Sequence, residues 1–437
     1  MSSTVAAPPA PASSSAATSL PPGPPLPLLL QTVLAWNASG AFLGRCRRRY
    51  GPVFTIRTLP WGRTVVINDA ALVKQVFTGD AAVYHAGEGN SMLAPVVGDR
   101  SVLVTDEDEH LQARKRLLPP FHGEAVRAFE DVIARIVREE VARWPLGRPF
   151  PLHPAMRRLT FEVILQAVIG ITGGERSQAL RRVLPQSVDL NFPTMLMWVH
   201  PGLERYGRWR RYRQTVENAH GLLAEEIAAR RSDPRLHERG DVLSQLVRAG
   251  ETDDDELRDQ IMTLLIAGHE TSATGLAWAF ERMLRHPSVL ERAREGEDRY
   301  LDAVVSETLR VRPVIPAVLR QLQAPVELGG HTLPAGVTVM PAIKLMHDDP
   351  TLFAEPHAFR PERFLEGEEA STYTWIPFGG GRRRCLGAAF SAFEMRVVLR
   401  TVLAEARLRA DRRKDEGVRN RHITLVPARG ARVVRMS

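Results

Sequence analysis

Phe378-Gly379-Gly380-Gly381-Arg382-Arg383-Arg384-Cys385-Leu386-Gly387 has the most unusual local composition in the 437-residue chain. Its three consecutive glycines leave the backbone free to take positive φ and to approach another group closely. Three arginines follow, beside one of only two cysteines. From Leu386 to Ala406 apolar residues recur at helical spacing, among them Phe390, Phe393, Val397 and Val398. Cys385 therefore lies just ahead of a helix start. Free backbone N–H groups and the positive dipole end favour an anion there. Nearby positive charge is expected to lower the thiol pKa, and the thiolate is the form that binds metal. The other cysteine, Cys46, reads as a small buried apolar residue.

The chain around this loop has the composition of a globular protein, 44% hydrophobic and 25% charged. Its length allows one large domain or two ordinary ones. Two cysteines can form neither a disulfide framework nor a four-cysteine zinc site, which suits a reducing cytoplasm. The net charge of +8 suggests acidic partners, nucleic acid or an anionic membrane, but it is spread along the chain with no nucleic-acid motif, which ranks nucleic acid low.

Residues 1–44 carry no charged side chain, yet prolines break every apolar run. None reaches the roughly 18–20 residues needed to span a bilayer. Residues 1–20 read as a disordered Ala/Pro/Ser tail and Pro21 to Pro25 as a stiff spacer. Leu26 to Trp36 could touch a membrane surface, although helix packing is the preferred reading. Residues 53–58 and 63–68 alternate around Pro60-Trp61-Gly62, which predicts a β-hairpin. Beyond residue 105 helical periodicity dominates. Helices are expected near 107–118, 123–143, 154–170, 208–231, 239–248, 255–285, 288–294 and 297–311. Short strands are expected over 316–340, and a final strand pair over 422–426 and 432–435. No internal repeat or linker divides residues 21–437, so one mainly α domain with a smaller β region is expected.

The stretch 255–285 is the longest expected helix, opened by Asp253 to Asp255 and stopped by Pro287. At its middle stands Ala267-Gly268-His269-Glu270-Thr271-Ser272. Leu264, Ala267, Gly268 and Thr271 share one face, where small residues leave room for another group. Read alone, this is a buried helix with Thr271 bonded back to the carbonyl of Ala267. Glu307 and Arg310 at i, i+3 would by themselves make a weak surface pair, and Arg363 of Pro361-Glu362-Arg363-Phe364 could close a triad with them. His110 and Arg114 share a helix face that could simply be solvated.

Taken together, these stretches resemble the cytochromes P450. The opening loop fits F-x-x-G-x-x-x-C-x-G, the haem-ligand loop of that family. The motifs H-x-x-x-R, A-G-x-E-T-S, E-x-x-R and P-E-R-F precede it in the family's order, and the resemblance covers residues 21–437. It implies a single domain of the P450 fold that binds haem b through Cys385. Phe378 would lie against the cofactor, and His110, Arg114, Arg320 and Arg383 would hold its propionates. The thiolate would favour O–O cleavage. Thr271 would hydrogen-bond dioxygen and Glu270 would relay protons, while Glu307, Arg310 and Arg363 would serve folding.

The implied activity is insertion of one oxygen atom of O2 into a C–H bond. Met92, Leu93, Val96, Val97, Phe192, Met195 to Trp198, Val314, Ile315, Val318 and Leu319 would face a hydrophobic substrate, a fatty acid or terpenoid. The chain carries no flavin or nicotinamide fingerprint, so electrons are expected from a separate ferredoxin and its reductase. Arg382, Arg384, Lys115 and Arg116 would draw an acidic ferredoxin. A cytoplasmic monomer without a membrane span is expected. A peroxide-driven peroxygenase, which typically lacks the acid–alcohol pair, and a non-catalytic haem-thiolate sensor are the alternatives.

Overall fold

The computed structural model describes residues 20–37, 39–171, 173–187, 202, 205–250, 252–365, 371–421 and 423–437. Residues 1–19 of the expected tail, and the segment 192–198 assigned to the substrate, lie outside these residues. Leu20 packs against the core of the β region, and Thr55 N–H donates to the Pro22 carbonyl at 3.0 Å.

A long helix, Asp254–Met283, runs through the middle of the main hydrophobic core. Asp253 starts it by accepting from Glu256 N–H at 3.0 Å, so the acidic residues act as cap and first-turn anions. Leu152–Ile169 packs along one side and Ala388–Glu405 crosses another. Gly268 decides the first contact: a Cβ there would fall 2.7 Å from Ile164 Cδ1. The room left by that glycine is therefore taken by a neighbouring helix. Gly275 does the same against Met395, at 3.0 Å.

The smaller β region is a five-stranded sheet. Its order is Val53–Thr58, Gly62–Ile67, Thr338–Pro341, Arg320–Leu322 and Tyr84–His85. The expected hairpin pairs antiparallel with Thr58 opposite Gly62, and Thr64 to Ile67 run parallel to Thr338 to Pro341. The sheet brings Arg320 towards the cysteine loop.

Most expected helices appear within a few residues of their limits, with two kinds of difference. The single helix expected over 123–143 is divided into Glu124–Arg127 and Glu130–Ala142. Helices Ala70–Thr78 and Glu175–Ser187 were not anticipated. The first carried a legible signal, since Asp69 accepts from Ala71 N–H and Leu72 N–H. The C-terminal strand pair is also corrected. Thr424–Pro427 pairs with Val418–Arg421, whereas Arg432–Arg435 lies between Leu408–Ala410 and Pro149–Pro151. Alternation marks a strand but does not name its partner.

Beneath the cysteine loop, Glu307, Arg310 and Arg363 form a buried ion cluster, not a surface pair. Glu307 accepts from Arg310 at 2.7 and 2.8 Å, from Arg363 at 3.3 Å and from Arg360 N–H at 2.9 Å. Arg310 also donates to the carbonyls of His347, Pro356 and Ala358. Such saturation is what allows charges to sit in a core.

Candidate active site around Cys385

The glycine run in the loop serves close approach. A Cβ on Gly381, at φ +62°, would lie 1.8 Å from the carbonyl oxygen of Phe77. On Gly380 it would lie 2.2 Å from the Phe77 ring. Cys385 N–H donates to the Phe378 carbonyl at 2.9 Å and closes the turn. The Phe378 ring meets Trp375 edge-on, with centroids 6.1 Å apart, and the helix Ala388–Glu405 follows.

Cys385 keeps accessible surface, although protein surrounds its thiol on most sides. Burial raises its pKa, against the lowering effects of Gly387 N–H, Arg114 and Arg384. The lowered pKa expected from the loop's charge is thus overturned: desolvation of the thiolate outweighs the arginines. The central helix also keeps accessible surface at its middle. Ala267 is exposed in the middle of an otherwise buried helix, and Leu264, Gly268 and Thr271 beside it are partly so.

His110, Arg114, Arg320 and Arg383 converge from three parts of the chain. Burial first, then Arg383, Arg114 and Arg320, push His110 down to about 3, so it is neutral. Burial first, then Arg383, lower Arg320 to about 10. Arg383 also falls to about 10, burial again leading. Arg383 donates to the carbonyls of Val102 and Thr105 and pairs with Asp106. Asp106 in turn accepts from the N–H groups of Ala86, Gly87 and Glu88. A cavity of about 180 Å³ opens among Asp106, His110, Arg320 and Arg383. Arg114, Arg320 and Arg383 supply guanidinium donors here, and His110 a neutral imidazole. That donor set suits carboxylates such as the propionates of a haem.

Thr271 and Glu270 point to different surroundings. Thr271 Oγ1 donates to the Ala267 carbonyl at 2.6 Å. The Glu270 carboxylate lies 2.5 Å from Arg157, 3.5 Å from Arg421 and 3.6 Å from His153. His269 is buried, with Nδ1 bonded to the Leu265 carbonyl at 2.9 Å and its ring edge-on to Phe161.

The family model described as cytochrome P450 matches residues 20–433. The chain belongs to the cytochrome P450 family. A protein of Mycobacterium tuberculosis named cytochrome P450 135B1 is 45% identical over 429 residues, covering 95% of this chain and 91% of its own. Another from that organism, cytochrome P450 137, is 40% identical and covers 94% and 90%. A solved P450 structure, the retinoic acid-bound cyanobacterial CYP120A1, superposes with a TM-score of 0.83 at 24% identity, covering 96% of this chain and 99% of its own. P450s are haem-thiolate monooxygenases with haem b as cofactor.

Several residues that shape this P450's site escaped the sequence reading. Asp106, Arg157 and Arg421 are ordinary charges whose partners are distant in sequence. Glu394 sits inside the cysteine-loop helix, wholly buried, with Oε1 lacking a hydrogen-bond partner. An acid among Phe390, Phe393, Val397 and Val398 was the legible signal. Of the expected substrate-facing residues, Met92, Leu93, Ile315, Val318 and Leu319 keep partial exposure. Val96, Val97 and Val314 are core.

Proposed function

We propose that this P450 hydroxylates a hydrophobic small molecule of the fatty-acid or terpenoid class, with electrons from a separate ferredoxin and reductase. The observation that supports it is the gathering of His110, Arg114, Arg320 and Arg383 into an anion-seeking cluster, with Arg114 in electrostatic reach of the Cys385 thiol. Bound haem supplies oxygen activation and C–H oxidation. Cys385 would ligate the iron, and a coordinating thiol is deprotonated by the metal, whatever burial costs the free thiolate. Arg114, Arg320, Arg383 and His110 would hold the propionates, and Phe378 would lie beside the macrocycle.

Thr271 and Glu270 are the proposed proton path. Thr271 Oγ1 gives its own proton to Ala267, so its lone pairs are open to a water or substrate hydroxyl. To donate, the hydroxyl must rotate off that carbonyl. Glu270 is paired with Arg157 and lies near Arg421. It would take a proton on the side of those arginines and swing to the Thr271 side. Met92, Leu93, Ile315, Val318 and Leu319 would hold the substrate mainly by shape. Exposed Lys115, Arg382 and Arg384 would attract the ferredoxin. Arg116 is committed to Glu256 and is left out of this surface.

The deciding experiment is the absorption spectrum of the reduced, CO-bound protein. Wild type should show the red-shifted thiolate Soret band and Cys385→Ala should lose it. Cys46→Ser, at a buried residue of the N-terminal core, should keep it. Survival of the band in Cys385→Ala overturns the ligand assignment. Spectral titration with fatty acids and terpenoids then tests the substrate class, and no shift with either removes it.

A further inference from the structure

The first described helix, Leu28–Asn37, packs Leu34 and Ala35 on the N-terminal core but turns its first apolar residues outward. Its polar Gln31 is 1% exposed, while Leu29 is 68% and Val33 55% exposed. Gln31 is held inward by three bonds. It donates to the carbonyls of Pro24 and Leu26 and accepts from Arg57 N–H at 2.9 Å. These bonds fix the rotation of the helix, so Leu28, Leu29, Leu30 and Val33 must face outward. A solvated helix turns its apolar side to the core, and here hydrogen bonds pin four large apolar side chains on the other side.

The neighbouring turns continue the pattern. Leu59, at the tip of the first hairpin, is exposed, and its N–H donates to Thr32 Oγ1 at 3.1 Å. Asn420 of the hairpin Val418–Pro427 bonds the Trp36 carbonyl, and Val418 and Ile423 of that hairpin are exposed. Seven of the ten exposed large apolar residues among the described residues thus gather on and around this helix. Trp36 and Trp61 stack at 5.9 Å and tie it to the sheet.

The N-terminal segment that carries this helix and the first hairpin has charges of one sign. From Leu20 to Asn68 there is no Asp or Glu and there are six arginines. Arg57, Arg63 and Arg419 are exposed on the two hairpins, and Arg57 donates to Leu26 O at 3.1 Å, beside the helix start. The helix is ten residues long, far below a membrane span, and no described helix is long and apolar enough to cross a bilayer. Outward aliphatic side chains rimmed by arginines are the chemistry of a segment that lies in the interface of an anionic membrane. A protein-binding hot spot would instead present aromatic anchors, and both tryptophans here are occupied in their stack.

We infer that this face docks the protein on an anionic lipid surface, with Leu29, Leu30 and Val33 entering the headgroup region and Arg57, Arg63 and Arg419 pairing with lipid phosphates. The inference does not depend on the substrate reading.

Vesicle flotation of the purified, haem-loaded protein tests it. Wild type should float with phosphatidylglycerol-containing vesicles, weakly with phosphatidylcholine alone, and less as salt rises. The triple variant Leu29→Ser/Leu30→Ser/Val33→Ser should bind at least about ten-fold more weakly. Arg63→Gln/Arg419→Gln should lose about five-fold per arginine. Unchanged reduced-CO spectra would show that both variants keep the fold. Three results overturn the proposal: no flotation with anionic vesicles, equal flotation with both lipids, or a triple variant that floats like wild type. Self-association abolished by the triple variant, without vesicle binding, overturns it in favour of a second copy of the chain.

Discussion

The Arg157 guanidinium lies 2.5 Å from the Glu270 carboxylate, and this pair holds the acid of the central helix away from the hydroxyl next to it in sequence. Arg157 comes from the helix Leu152–Ile169 and Arg421 from the C-terminal hairpin. The acid–alcohol pair is therefore split in space. Glu270 faces two half-buried arginines, whereas the Thr271 hydroxyl is bonded back to the Ala267 carbonyl.

That split separates the two substitutions. Thr271→Ala should bind haem and substrate and still consume electrons, while product per electron pair falls on the order of ten-fold or more, diverted to hydrogen peroxide. Glu270→Gln should slow turnover by about 10²-fold with a smaller loss of coupling. Parallel assays of NADH oxidation, peroxide and product check this. Wild-type rate and coupling in Thr271→Ala would remove the role given to the helix.

Arg114 offers the cleaner test of propionate binding. Arg383 also ties down Val102, Thr105 and Asp106, so its loss disturbs the loop as well. Arg114 has no such bonds among the described residues. A hydrogen bond to a charged group is worth about 1.5–3 kcal/mol. Arg114→Ala should therefore release haem to apomyoglobin about ten- to a hundred-fold faster with an unchanged melting curve of the apoprotein. An unchanged release rate would exclude Arg114 from the clamp.

Glu307→Gln should act on folding alone. It leaves Arg310 and Arg363 buried without their anion, a loss of about 3–5 kcal/mol. Urea denaturation should show that loss, or the variant should fail to accumulate in soluble form. A fully stable Glu307→Gln with reduced activity would reverse the assignment.

Glu394 predicts a pH dependence. Burial raises its pKa from 4.5 to about 8, opposed only by Ser272. The folded state then holds a proton that the unfolded chain has released. Stability from this group is complete below pH 4.5 and is lost as pH rises through about 8. Within that window the slope is up to about 1.4 kcal/mol per pH unit. Glu394→Gln should lack this slope, so its stability relative to wild type should rise between pH 5 and pH 8 in urea melts. Parallel pH profiles for the two proteins would show that Glu394 is ionised in the fold.

The sequence alone determined the cysteine loop, the long central helix and the E-x-x-R with P-E-R-F pattern. Each is a local matter of residue type and spacing. Glycine permits the approach of the loop to Phe77, aspartates cap the central helix, and helical periodicity marks buried faces. Tertiary structure alone decided the long-range pairings and the balance of solvation. Arg157 and Arg421 meet Glu270, Asp106 meets Arg383, and Arg432–Arg435 meets strands other than the expected one. Periodicity says which face of an element is apolar but not which element covers it. The direction of the Cys385 shift was likewise beyond the loop's own charges, because desolvation depends on everything the fold packs around the sulfur. The same holds for Leu28–Asn37. Its composition asks for burial, and only the three bonds of Gln31 show that Leu28, Leu29 and Leu30 face out.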